Sequence, residues 1–535
     1  MMLGELLSKT GAIRPDQLQI ALVEQQLSGE KLGRVLLNLG FVSAAILRQS
    51  LAKMAGVPSV DLARVAPDPE ALECIPRELA ERFQLVPVRY RQAKNTLVIA
   101  MSDPRDLVAL DHIRRLRSDD TKLKVVLAIE SDIEAAWDAF YGHERRLDTL
   151  LTQLDSEESR SAATEVTNNG AGAQLVISIL RDAVSMQCSD IHLEPESGFV
   201  RIRYRVDGVL TPRPSLHEKH WPAMLGRLKV LAGLDLAETR APQDGGFSET
   251  IAGKRIDFRV SSFPVLHGEN LVMRVLDRNK QILSLDHLQQ PEDTITAITT
   301  SLQQPEGVIL VAGPTGSGKT STIYSMIKTL NTPAVNIMTL EDPVEYPLDL
   351  VRQSSIGQQN RLGFSAGIRA IMRQDPDIVV IGEIRDADTA RIAMRAAMTG
   401  HKVLSTVHAR SSLSAVQRLM DLGVDAATLA ANVSAVVAQR LVRLRCAQCR
   451  GKDATTCEAC AGSGYRGRRA VMETLIVDKD LSQSLIQQQS TVGWRDKAAA
   501  RGWKPMAELA QALVRSGDTD ASEVHRVFGT VGERV

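Results

Sequence analysis

The chain has 535 residues, which sets a prior of about three to four domains of roughly 150 residues each. Its 64 Lys+Arg balance 64 Asp+Glu, which excludes a protein whose main act is bulk electrostatic binding of nucleic acid or anionic membrane. Apolar residues make up 44% and aromatics only 4%, so the cores must be built from Leu, Val, Ile and Ala.

No run of about 18 apolar residues suited to crossing a membrane occurs. The opening stretch is interrupted by Glu5 and Lys9 and does not read as a secretory leader. Six cysteines, four of them clustered, are too few for a disulfide scaffold and point to a reducing, cytoplasmic setting.

Residues 1–58 contain an internal repeat. Leu3-Gly4, Leu7, Gly11, Ile13, Leu18 and Leu22 recur as Leu32-Gly33, Leu36, Gly40, Val42, Leu47 and Leu51, a constant offset of 29. Each unit reads as helix, glycine stop, helix. Residues 59–142 alternate short apolar runs (Leu85–Val88, Thr96–Met101, Leu123–Ala128) with helical stretches (Pro69–Arg82, Asp106–Arg117, Ser131–Tyr141), an α+β pattern. Residues 143–172 lose apolar periodicity and read as a flexible linker.

A helix is expected over Leu175–Val184, followed by the alternating run Val200–Val206 with one basic face. Asp207-Gly208 and the return at Val209-Leu210 form a hairpin signal, and Ile256–Val260 and Leu271–Leu276 are further strands. From Gly307 the chain repeats strand, glycine-rich turn, helix, which is α/β with a mostly parallel sheet.

The apolar run Gly307–Ala312 enters Gly313-Pro314-Thr315-Gly316-Ser317-Gly318-Lys319-Thr320, followed by a helix. This is a complete P-loop in its required context. Glycines let backbone N–H groups wrap an anion, and the helix N-terminus adds its positive end. Lys319 should reach the β/γ-phosphates of ATP and Thr320 should hold Mg²⁺. Two acids follow at strand ends, Glu345 in Glu341–Glu345 and Glu383 in Gly382–Asp386. Ligands of open parallel sheets sit at the carboxyl ends of the strands. One acid can therefore act on the attacking water and the other can hold Mg²⁺. His401 and His408 bracket another apolar run, from which both could approach the nucleotide edge. Cys446-x-x-Cys449 and Cys457-x-x-Cys460 suit a tetrahedral Zn²⁺ site.

Taken together, GPTGSGKT, EDPVEY, RQDPDIVVIGEIRD, TGHKVLSTVHA, AQRLVRLRC and CEACAGSGYRGR resemble the type II secretion and type IV pilus assembly ATPases, the GspE/PilB family. SDIHLEP, RIRYRVDGVL, PQDGG and DFRVSSFPVLHGENLVMRVLD resemble that family's N2 domain, and residues 1–142 its N1 domain. The resemblance implies a PAS-like α+β N2 domain over 173–280 and a RecA-like ATPase domain over 281–535, with a zinc module near 446–468. It also implies a homohexameric, Mg²⁺-dependent motor. Such a motor works with inner-membrane platform proteins at the cytoplasmic face and extends a pilus or pseudopilus. Glu345 would be the general base, Glu383 the Walker B acid, His401 and His408 the His box, and Arg259 and Arg274 the arginines that N2 offers to nucleotide. In some members the N-terminal repeats bind cyclic di-GMP and start with Arg before Leu-Gly, where this chain has Met2 and Lys31. A retraction motor would resemble the chain only from N2 onward. A non-motor adaptor would not need Lys319, Thr320, Glu345 and Glu383 intact.

Overall fold

The computed structural model describes residues 3–141, 171–277 and 284–529, apart from 63–64, 66–67, 92–94, 118–120, 357–362, 453, 455–456 and 488–490. The expected linker lies outside the described residues except for its last two, which already belong to the helix Ala171–Ser185. The chain divides into two compact units, Met1–Asn279 and Lys280–Val535.

The repeat of the sequence is a repeat in space. Helices Leu3–Lys9 and Pro15–Ser28 are followed at the same offset by Leu32–Asn38 and Ala44–Ala55. Leu7 and Ile13 share a core with Leu36 and Val42. The glycines explain the Leu-Gly signature. A Cβ on Gly4 would stand 2.7 Å from Leu18 Cδ1 and 3.5 Å from Leu32 Cδ2, and one on Gly33 would stand 3.3 Å from Leu47 Cδ1 and 3.5 Å from Leu3 Cδ2. Each glycine thus receives the leucine of its own repeat and the leading leucine of the other.

The next segment is a three-stranded sheet of β1 (Leu85–Arg91), β2 (Thr96–Met101) and β3 (Lys122–Leu127). β1 runs antiparallel and β3 parallel to the central β2. The helix expected over Pro69–Arg82 is two pieces, Pro69–Leu72 and Arg77–Arg82. Pro76 offers no N–H and disfavours helical backbone in the residue before it.

The remainder of this unit is a six-stranded antiparallel sheet. Its strands are β4 (Asp190–Pro195), β5 (Phe199–Val206), β6 (Val209–His217), β7 (Gln243–Ile251), β8 (Lys254–Val265) and β9 (Gly268–Asp277). They lie in the order β6-β5-β4-β9-β8-β7. Asp207 and Gly208 take φ of 49° and 85°, the two left-handed positions of a tight hairpin turn between β5 and β6. Val200, Ile202, Tyr204, Phe258 and Leu271 point into one core with helices Ala171–Ser185 and Trp221–Ala232. On β5 the alternate residues Arg201, Arg203 and Arg205 face the other way, as the alternation predicts.

The second unit holds a seven-stranded sheet of β10 (Gly307–Ala312), β11 (Ile337–Glu341), β12 (Val351–Ser355), β13 (Ile378–Ile381), β14 (Lys402–Val407), β15 (Val433–Arg445) and β16 (Tyr465–Ile476). The order is β12-β11-β13-β14-β10-β15-β16. All neighbours are parallel except β16, which returns antiparallel to β15. β10 is buried at every residue. Val308, Leu310 and Ala312 enter the core on one face, and Ile309 and Val311 the core on the other. A strand covered on both faces needs a continuous apolar run, which is what Gly307–Ala312 supplies. Among the described residues no helix is long and apolar enough to cross a membrane.

Candidate functional site

The carboxyl ends of β10, β11, β13 and β14 bring the expected chemistry to one edge of the second unit. Gly313–Thr320 leaves β10 and enters the helix Lys319–Leu330. The loop needs its glycines: Gly316 and Gly318 have φ of 76° and 88°, and a Cβ on Gly313 would stand 2.4 Å from Ser317 Oγ. Ser317 Oγ is buried with no protein hydrogen-bond partner. Lys319 Nζ donates to Gly313 O at 2.9 Å and to Pro314 O at 3.0 Å. An ammonium held on the loop's own carbonyls, a buried hydroxyl left over and a backbone too tight for side chains together fit a cradle for phosphate. Burial lowers the Lys319 pKa, and Glu383 is near enough to oppose that shift.

Gly382 follows β13 with its Cα against the Glu341 backbone, since a Cβ there would stand 3.1 Å from Glu341 Cα. Glu383 comes next and is largely buried. Arg385 Nε donates to its Oε2 at 2.8 Å, and His408 Nε2 lies 3.1 Å from its Oε1. Arg385 also reaches Asp342 Oδ2 at 3.2 Å and so links the acids of two strand ends. Its pKa is raised, first by the Glu383 hydrogen bond. A carboxylate has about four acceptor positions, so Glu383 keeps capacity for a metal-bound water. Thr320 is exposed at the first turn of the P-loop helix.

Glu345 is half-buried in the loop after β11. A network that the sequence did not reveal pins this loop. Glu341 is 5% exposed and accepts from Tyr324 Oη at 2.5 Å, Thr339 Oγ1 at 2.6 Å and Gln353 Nε2 at 3.1 Å. Gln353 also takes Leu348 N at 2.6 Å and gives to Tyr346 O at 3.1 Å. Burial, and then the Glu341 charge, push the Tyr324 pKa far up, so its hydroxyl stays a donor. Because Tyr324 belongs to the P-loop helix, the Glu345 loop and the phosphate loop share one support.

The histidines separate. His408 follows β14 at the P-loop edge, whereas His401 precedes β14 and bonds Ala396 O at 3.0 Å and Thr399 Oγ1 at 3.1 Å. Six strand residues, about 20 Å of chain, lie between them. The expectation that both approach one edge is therefore corrected for His401.

Arg259 and Arg274 lie opposite each other on β8 and β9 of the first unit. Arg274 Nε stands 3.4 Å from Asp190 Oδ1 with its side chain 55% exposed.

A second cluster stands at the end of β15. The four sulfurs of Cys446, Cys449, Cys457 and Cys460 all lie within 4.8 Å of one another. Cys449 and Cys460 are 3.7 Å apart and Cys446 and Cys457 3.9 Å apart. Metal–sulfur bonds of about 2.3 Å in a tetrahedron give edges of about 3.8 Å, so the donor set fits Zn²⁺. Gly464 N donates to Cys460 Sγ at 3.2 Å. N–H groups of Cys449 and Gln448 lower the Cys446 thiol to about 7.

Comparison with known proteins identifies the family. Residues 165–526 match the family model described as type II/IV secretion system protein, and residues 55–147 match the MshEN domain. The type IV pilus assembly ATPase PilB of Myxococcus xanthus is 33% identical, over 98% of each chain. The type II secretion system protein E of Xanthomonas campestris pv. campestris is 34% identical, over 97% of this chain and 96% of its own. The Legionella pneumophila ATPase DotB superposes with a TM-score of 0.54 at 21% identity, over 69% of this chain and 97% of its own, a likeness of fold.

Proposed function

The chain belongs to the type II/IV secretion ATPase family, and from that premise we propose that it is a homohexameric, Mg²⁺-dependent motor. It powers assembly of a type IV pilus or a type II secretion pseudopilus. It works at the cytoplasmic face of the inner membrane, held there by platform proteins of its machine. The observation that carries this reading is the convergence of the P-loop, Glu383, Arg385 and His408 at one edge of a parallel sheet. The order β15-β10-β14-β13-β11 supports a RecA-like domain with the P-loop strand in its middle. The antiparallel sheet with two helices on one face supports the PAS-like reading of N2.

ATP and Mg²⁺ supply the phosphoryl group and the charge that binds it. Lys319 leaves the carbonyls of Gly313 and Pro314 to meet the β/γ-phosphates, and loop N–H groups take the remaining oxygens. Thr320 and Glu383 would hold Mg²⁺, which would supply positive charge to the phosphates. Arg385 and His408 fix the Glu383 carboxylate, one at each oxygen. Glu345 takes the proton of the attacking water. Cys446, Cys449, Cys457 and Cys460 hold one structural Zn²⁺, in a closed thiolate set without an open position for chemistry.

Phosphate release dependent on Mg²⁺, together with a sixfold assembly in sedimentation or mass photometry, is the expected result. A monomer with full activity would refute the hexameric motor. A second reading is a motor that responds to cyclic di-GMP, favoured by the MshEN match over 55–147. Phosphate release unchanged by added cyclic di-GMP, with no binding by calorimetry, would remove it.

A further inference from the structure

We propose that Gln439 is a positioning residue that presets the phosphate cradle by holding the Ser317–Gly318 peptide. This rests on the nucleotide site described above. Gln439 is the β15 residue just beyond Ala438, which pairs with Ala312, the last residue of β10. Its side chain is 1% exposed. Nε2 donates to Ser317 O at 2.7 Å, and Oε1 accepts from Thr322 Oγ1 at 2.8 Å. Its backbone oxygen lies 2.7 Å from where a Cβ on Gly313 would stand. One residue therefore touches the entry of the loop, its crest and the first turn of its helix.

The orientation of the carboxamide is fixed by chemistry. Ser317 O only accepts, so the NH₂ must face it, and Oε1 is left for the Thr322 hydroxyl. The consequence for the loop follows from peptide geometry. In a trans peptide C=O and N–H point in opposite directions. A Ser317 carbonyl held against β15 turns the Gly318 N–H away from β15, toward the side that a phosphate occupies. Without Gln439 the peptide is free to rotate, because glycine at 318 opposes no flip. The cradle would then have to be ordered at the moment of binding, which weakens affinity. Burial adds a further constraint: a Leu of similar volume would leave Ser317 O and Thr322 Oγ1 without their partner.

The experiment uses the full chain, with MgATP affinity, KM and kcat expressed per folded molecule and melting temperature measured beside them. Gln439→Leu removes both bonds. Gln439→Glu keeps an acceptor for Thr322 and removes the donor to Ser317 O. Gln439→Asn is too short to reach. Thr322→Val removes only the lesser half of the clamp. The expected result is a rise in KM and in the ATP dissociation constant of tenfold or more in Gln439→Leu and Gln439→Glu. In Thr322→Val the rise should be severalfold, and kcat at saturation should fall less than KM rises. Should Gln439→Leu not fold, Gln439→Glu and Gln439→Asn carry the test. Wild-type KM and affinity in any folded Gln439 variant, with only a lowered melting temperature, would overturn the positioning role. Lys319→Ala run alongside keeps the two ideas separate. If wild type binds MgATP no better than Lys319→Ala does, the nucleotide site itself is wrong. If wild type binds and the Gln439 variants bind equally well, only the role of Gln439 is wrong.

Discussion

At the scale of single residues the site divides its labour by distance from the reacting atoms. In the proposed mechanism Lys319 is the ground-state ligand. Its ammonium rests on two loop carbonyls, so phosphate has only to displace weak neutral acceptors. Lys319→Ala should therefore abolish both nucleotide binding and hydrolysis. Glu345→Gln should leave ATP affinity within about threefold and lower turnover by a hundredfold or more, because an amide cannot take the proton of water. Equal ATP affinity in wild type and Lys319→Ala, by calorimetry or fluorescent-nucleotide titration, would remove the P-loop assignment. The placement of Lys319, Thr320, Glu345 and Glu383 after strand ends was legible in the sequence because the expected chemistry dictates residue type and spacing. Glu341, Tyr324, Gln353 and Gln439 were not. Glu341 and Tyr324 bond each other's side chains, while Gln353 and Gln439 hold backbone atoms, and neither kind of support carries a spacing signature of its own. The Gln439–Ser317 bond joins positions 122 apart in sequence, and periodicity says nothing at that range.

At the scale of elements the sequence spoke clearly where a local rule is strict. The offset of 29 and the Asp207-Gly208 turn were readable for that reason. The break at Pro76 followed from the same kind of rule but lay inside a stretch that otherwise read as helix. The reciprocal seating of leucines on Gly4 and Gly33 makes a test. Gly4→Val should destabilise the N-terminal bundle by about 1–3 kcal/mol, the cost of overpacking a close contact, as read by thermal unfolding of that segment. Zinc is a second test. One Zn²⁺ per chain by metal assay is expected, with four thiols that react only after chelation; zinc-free protein with all four freely titratable would contradict it.

The end of the chain offers a third. Helix Ala521–Phe528 is strapped to β15 by Glu523, fully buried, which accepts from Arg443 and Arg526. Asp520 caps the helix. Burial raises its pKa, but hydrogen bonds from Ser522 and Tyr465 and from Glu523 N–H, with Arg445 nearby, outweigh burial and lower it to about 2. A lowered carboxylate adds stability that is present above its unfolded value near 3.8 and is lost as pH falls toward about 2. Protection of the Ala521–Phe528 amides against exchange, taken relative to the intrinsic rate at each pH, should fall over that window in wild type and far less in Asp520→Asn. Asp520→Ala should cost about 1 kcal/mol, the usual worth of an N-cap.

At the scale of the whole molecule the proposed motor has to turn hydrolysis into motion, and substitutions at Arg259 and Arg274 test how. They belong to the unit Met1–Asn279, whereas the P-loop belongs to Lys280–Val535. The sequence also suggests a hinge near Arg278–Ser284, which up to residue 283 lies outside the described residues. Arg274 meets Asp190 at 3.4 Å and is more than half exposed. Exposed pairs of this kind contribute about 0–1 kcal/mol, so Arg274→Ala should barely move the melting temperature. If the arginines do no more than pair with acids of their own sheet, turnover per folded molecule should also barely move. If they are delivered to the γ-phosphate of a neighbouring copy, each substitution removes charge stabilisation of the transition state. The loss in kcat should then be on the order of 10³- to 10⁵-fold, with ATP affinity little changed. For Arg274 the two outcomes differ by orders of magnitude in turnover and hardly at all in stability, so a folding defect cannot imitate the motor role there. Mixing gives the last discrimination. A double substitution of Arg259 and Arg274 combined with Lys319→Ala chains should recover activity if arginine and P-loop act across copies. The Lys319→Ala chains supply the arginines, and the others supply the phosphate cradle. No recovery on mixing, in assemblies shown to exchange subunits, would confine the arginines to their own chain.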